Sequence, residues 1–156
     1  RPGSDLRNWT SRANYAARGI VQTAADELSL YIKHNSGYAS SHVRRYTLRP
    51  DGFVSINAPY TGGELITPPL RFSGQQLNIN FSTSAVGFVR VELQSVEGKP
   101  QKSFTLDDCP EMIGDRIEHV VRWKAGGDLA RLSGQPVRMR FVMKDADLYS
   151  LRFAEL

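Results

Sequence analysis

The sequence predicts an all-β chain: an antiparallel two-sheet β-sandwich, jelly-roll-like, starting near residue 51 and preceded by a few strands of another domain. Three observations predict it. The segments 77–82, 88–93 and 137–141 all show a period of two, which sends successive side chains to opposite faces of a strand. Each run is closed by Gly, Pro, Asn or Asp. From Phe53 onward such runs recur at short spacing, the pattern of a sandwich or jelly roll.

Taken in order, residues 1–15 are polar and turn-rich, with Trp9 and Tyr15 as the large anchors. Strands are expected at 18–21, 27–34 and 42–49. In the second, Leu28, Leu30 and Ile32 alternate with Ser29, Tyr31 and Lys33, which turns Tyr31 away from the leucines. Asn35-Ser36-Gly37 is a tight-turn signal, so the second and third strands form a hairpin with a longish loop. Pro50-Asp51-Gly52 is another turn, and the domain boundary is placed there, separating 1–50 from 51–156. Next come 53–58, a Gly62-Gly63 turn, and 64–72 interrupted by Pro68-Pro69. Proline removes a ladder donor, so this segment is an edge strand or a broken one. Strands at 76–82, 86–94, 116–124, 136–143 and 147–154 complete the set, with 107–115 irregular and 128–133 about one helical turn.

Composition narrows the function classes. In 156 residues, 40% are apolar, enough for a real core and against global disorder. No run of about 18 apolar residues occurs, so no helical membrane span is expected. The formal net charge is +4, yet bases alternate with acids and form no Lys/Arg blocks. No nucleic-acid recognition signature is visible, so neither nucleic acid nor membrane is an expected partner. The lone Cys109 excludes an intrachain disulfide and a cysteine metal cluster, and reads as a small buried hydrophobe. The chain opens on Arg1-Pro2-Gly3 without Met or an apolar signal stretch, and is expected to be a piece of a longer protein.

Two segments carry a resemblance. Asp26-Glu27-Leu28-Ser29-Leu30-Tyr31-Ile32, followed by Arg44-Arg45-Tyr46-Thr47-Leu48-Arg49-Pro50-Asp51-Gly52-Phe53-Val54-Ser55, resembles the end of the last blade in five-bladed β-propeller glycoside hydrolases of the invertase and fructosidase kind. Residues 62–70 are similar to the opening of the C-terminal β-sandwich that follows such propellers, and 144–153 to its last strand. The resemblance implies that 1–50 are terminal strands of a preceding propeller catalytic domain and 51–156 a C-terminal sandwich. It implies an accessory role, stabilising or orienting the catalytic domain of the same chain. The catalytic carboxylates of these families lie on earlier blades, so no catalytic residue is carried over and this piece is not expected to be an enzyme. A parent of this kind leaves the compartment open, secreted and periplasmic locations included.

The residues themselves offer other chemistry. By strand parity Asn78, Asn80 and Ser82 lie opposite Leu77, Ile79 and Phe81; Phe88, Arg90 and Glu92 lie opposite Val89, Val91 and Leu93; Arg138 and Arg140 lie opposite Val137, Met139 and Phe141. If these strands are neighbours, one polar face presents amides and guanidinium groups suited to hydroxyl and carboxylate oxygens. A carbohydrate-binding module would use Tyr60, Asn80, Phe88, Arg90, Arg138 and Arg140 on a polysaccharide. The plainer reading is a ladder of cross-strand pairs. Asp107, Asp108, Glu111 and Asp115 form the densest carboxylate group. They could hold a structural calcium ion, a hard cation that takes several oxygen ligands, or simply make a solvated acidic loop. Paired carboxylates for glycoside hydrolysis would make the chain an enzyme in its own right, the most distant reading. No other cofactor is expected. His34, His42 and His119 lack the i, i+4 spacing of a helical zinc site, although His34 and His42 flank one hairpin loop. Trp123 and Tyr149 are expected in the core.

Overall fold

The computed structural model describes residues 5–8 and 14–155, so Trp9 lies outside the described residues. The chain is all-β, with two antiparallel sheets, one of them strongly curled. It divides into two compact units, 1–52 and 53–156, each with one of the sheets.

In the first unit the strands are β1 (Tyr15–Ala16), β2 (Val21–Ala24), β3 (Glu27–His34) and β4 (His42–Leu48). The second of these begins at Val21, later than the 18–21 segment read from sequence. The central strand β3 pairs with β1 and β2 and also with β4, in register from Leu28↔Leu48 to His34↔His42. The hairpin loop closes through Asn35, whose φ of 51° lies in the left-handed region that Asn tolerates best after Gly. Leu28, Leu30 and Ile32 share a face and are only half-buried. The opposite face carries a polar network in which Thr23 Oγ1 donates to Glu27 at 2.7 Å and Arg45 Nε donates to Ser29 at 3.0 Å. Among the described residues of this unit no apolar side chain is fully buried.

The second unit contains β5 (Ile56–Ala58), β6 (Gly63–Ile66), β7 (Gln76–Gln94), β8 (Asp115–Val120), a 3-10 turn at Leu129–Leu132, and β9 (Arg138–Ala154). The segments expected as separate strands at 76–82 and 86–94 are one strand, and so are 136–143 and 147–154. Strands β7 and β9 form a long antiparallel ribbon from Gln76↔Ala154 to Gln94↔Arg138. The ribbon is interrupted where Thr83↔Ala146 gives way to Phe88↔Lys144, so residues 84–87 face Asp145 alone. Bulges of this kind bend a strand and raise its twist.

On one side of the bend, β5 and β8 flank the ribbon; on the other, β6 flanks it. The two halves share one core, with Leu77, Ile79 and Phe81 from one and Val89, Val91, Met139 and Phe141 from the other. A curled sheet thus supplies both layers of the sandwich. Trp123 lies past the end of β8 and is buried, its indole N–H donating to the Val91 carbonyl at 3.0 Å and its ring meeting Phe104 edge-on. Each large core side chain of this kind contributes about 1.5–3 kcal/mol through removal of apolar surface from water. Tyr149 departs from the expected core position. Asn80↔Ser150 is followed by Phe81↔Leu148, which makes Tyr149 the extra residue of a bulge and leaves it half-buried, its hydroxyl 3.3 Å from that of Ser82. The Pro68-Pro69 break falls after the edge strand β6 and before an isolated bridge from Leu70 to Val137.

Candidate functional site

The outer face of the half formed by β6, the end of β7 and the start of β9 carries four of the candidate sugar-binding residues. Arg140 stands opposite Glu92 and Lys144 opposite Phe88 in the β7–β9 register. Arg140 Nε donates to Glu64 at 2.5 Å, and its Nη1 lies 3.7 Å from Glu92. These carboxylates hold the Arg140 guanidinium above its ordinary range, the Glu64 hydrogen bond first. Glu92 is only 4% exposed. It accepts from the Gln94 amide at 2.8 Å and the Leu106 N–H at 3.1 Å. Arg90 donates to the carbonyls of Cys109 and Leu106, clamping the 105–109 loop onto the sheet. The guanidinium donors of Arg90 and Arg140 are therefore directed at the protein's own carbonyls and carboxylates. Arg138 is half-buried opposite Gln94.

Asn80 lies across the bend, in the other half of the sheet, and is buried opposite Ser150. The single polar face expected from strand parity is thereby divided between two layers. Tyr60 is 64% exposed in the loop between β5 and β6, with the Lys144 ammonium 4.5 Å above its ring. That places Tyr60, Lys144 and the half-buried Phe88 at one end of the unit.

The carboxylates considered for calcium are dispersed. Asp107 is exposed 3.9 Å from Arg90, Asp108 accepts from the Thr105 hydroxyl at 2.8 Å, Glu111 is exposed, and Asp115 opens β8 opposite Ser82. Among the described residues no three His, Cys, Asp or Glu side chains gather as a metal site. Cys109 is buried, its sulfur accepting from the Val91 N–H at 3.2 Å, and burial pushes its thiol above the ordinary range. That environment suppresses the thiolate on which cysteine reactivity depends. His34 and His42 do meet, directly opposite each other with rings stacked at 5.5 Å, and Tyr46 places its hydroxyl 2.7 Å from His34 Nε2.

Sequence reading did not find the apolar groove of the second unit. A space of about 410 Å³ opens between β5 and β6, lined by Val54, Ile56, Leu65, Ile66, Leu148 and Leu151. Each of these two strands pairs with β9 alone among the described residues, so both present a free edge. The sequence signal was the apolar pair Val54 and Ile56, but nothing local shows that their strand ends a sheet. Among the described residues no helix is long and apolar enough to cross a membrane. No protein-family model, curated protein or solved structure gives a significant match to this chain.

Proposed function

We propose that the chain is a non-catalytic accessory β-sandwich of a glycoside hydrolase, which stabilises or orients a catalytic domain of the same protein. The observation that carries the accessory role is exposed apolar surface bordering free strand edges. The groove between β5 and β6 is apolar, and Val54, Ile56 and Ile66 that line it are exposed. Apolar patches of this kind mark interaction sites, and free strand edges are templates for further pairing. The glycosidase part rests on the resemblance of 26–32, 44–55, 62–70 and 144–153 to the propeller–sandwich junction.

The test is the full-length parent with and without 53–156, compared for thermal midpoint and glycoside hydrolysis. Loss of the sandwich is expected to lower the midpoint while the residual folded enzyme keeps its bond-cleaving chemistry. A parent without glycosidase activity sinks the family assignment, and an unchanged midpoint with unchanged activity sinks the accessory role. Polysaccharide binding through Tyr60, Asn80, Phe88, Arg90, Arg138 and Arg140 draws less support, since the donors of Arg90 and Arg140 already serve the 105–109 loop and the cross-strand network.

A further inference from the structure

A second pocket lies in the same unit, at the end of the ribbon where β7 begins. It holds about 310 Å³ and is lined by Gln75, Gln76, Arg122, Trp123, Gly126 and Leu129, among others. That volume is at the small end of ligand pockets, about 300–1,000 Å³, the scale of a sugar ring or two. We infer that this pocket binds a sugar acid, a pyranose unit that bears a carboxylate.

Three features of the lining carry the inference. The first is unused hydrogen-bonding capacity. Among the described residues the side chains of Gln75, Gln76 and Arg122 make no hydrogen bond or ion pair within the protein. By contrast Arg45, Arg140 and Arg152 each pair with a glutamate. Two amides offer donors and acceptors to sugar hydroxyls, and a guanidinium fork matches a carboxylate.

The second feature is charge. No Asp or Glu lines the pocket, so the positive potential of Arg122 is not cancelled by a lining acid. The same charge reaches His119, whose imidazole is held below its ordinary range by burial first and by Arg116 and Arg122 next.

The third feature is the shape of the floor and rim. Trp123 and Leu129 are buried, and the indole N–H is already given to Val91, so the floor is closed by apolar side chains with no free donor of its own. Gly126 turns the rim at φ 67° with open space where a Cβ would stand, and its N–H donates back to the Trp123 carbonyl at 3.0 Å. A Cβ on Gly127 would lie 2.5 Å from the Phe104 ring. The two glycines therefore seat the loop tightly and leave the rim without a side chain at these two positions. Beside the pocket Asn78, paired with Val120, is 8% exposed and its Oδ1 has no hydrogen-bond partner among the described residues.

This inference does not rest on the accessory role proposed above, which can fail while the pocket still binds. The experiment is amide and indole NMR titration of the whole chain with methyl glucuronide, with methyl glucoside and acetate as separate comparison ligands. Saturable shifts at Gly126, Gly127 and the Gln75 and Gln76 side-chain amides are expected with the glucuronide, weakened by added salt. Arg122→Gln, on an exposed side chain, is expected to weaken binding about tenfold or more, the scale of a lost hydrogen bond to a charged group. Gln76→Leu is expected to weaken it without changing the salt dependence. Absence of saturation into the millimolar range overturns the inference. So does equal binding of the neutral glucoside, equal binding of acetate, or unchanged affinity in the folded Arg122→Gln variant.

Discussion

Gly87 passes so close to Asp145 that a Cβ atom on it would lie 2.4 Å from the Asp145 carbonyl oxygen and 2.6 Å from that of Lys144. Asp145 itself adopts a φ of 42°, and the ribbon bends where residues 84–87 face it. Backbone atoms cannot move aside as a flexible side chain would, so the bend admits only glycine at this point.

Gly87→Ala is therefore expected to destabilise the second unit by about 1–3 kcal/mol, the scale of overpacking a tight site. Val86→Ala, next to it on an exposed side chain, is expected to stay within about 0.5 kcal/mol. Urea unfolding of the two variants checks the contrast, and equal midpoints would remove the steric account of the bend.

Glu92 and Glu64 both approach Arg140, yet they differ in burial. Removing Glu92 leaves the Leu106 N–H and the Gln94 amide without their acceptor in a buried place. Glu92→Ala is expected to cost about 1–3 kcal/mol and to speed amide exchange in 105–109. Glu64→Ala breaks a half-exposed pair and is expected to cost under about 1 kcal/mol. Chemical denaturation combined with hydrogen exchange distinguishes the two.

His119 gives the stability a pH dependence of defined sign. Its folded-state affinity for a proton is lowered, chiefly by burial against its surroundings and further by Arg116 and Arg122. Above about pH 6.5, the ordinary imidazole value, both folded and unfolded states are neutral and the stability is full. As pH falls below that value the unfolded state takes up the proton first, and stability declines until the folded imidazole titrates. His119→Gln is expected to flatten this acid limb relative to the parent chain, and Arg122→Gln to raise the His119 midpoint in imidazole NMR. An acid limb unchanged by His119→Gln would refute the assignment.

All fully buried apolar side chains among the described residues belong to 53–156, from Ala58 to Leu148. The segment 53–156, produced on its own, is thus expected to unfold in one cooperative transition, since it keeps the whole core cluster. A chain of 1–52 alone offers a four-stranded sheet with half-covered leucines, and a domain this small is expected to be marginal. Calorimetry of the two pieces tests this. Failure of 53–156 to fold would show that the first strands contribute to its core.

Much of the fold was legible because alternation is a local property. Leu77, Ile79 and Phe81, like Val89, Val91 and Leu93, are recognisable as one face of a strand wherever the strand sits, and all six are buried. Trp123, expected in the core, is buried, although it stands past the end of β8 and not within a strand. The turn at Pro50-Asp51-Gly52 lies next to the division between the two units. Tyr149 was misplaced because one bulge residue inverts parity, and a bulge is defined by the partner strand rather than by its own neighbours.

The candidate sites were less legible for the same reason. The stretch 83–85 reads as a gap between two strands; only the opposition of 84–87 to Asp145 makes it a bend within one. That bend separates Asn80 from Arg138 and Arg140 and so dissolves a face that parity alone had joined. The groove between β5 and β6, and the pocket joining Gln75 and Gln76 to Arg122, unite residues dozens of positions apart. Alternation and turn chemistry are settled by adjacent residues, and they specified the strands and most of the core. Which strands become neighbours, where a ribbon bends and which edges stay open depend on long-range pairing and close backbone approach, and those the tertiary structure alone decided.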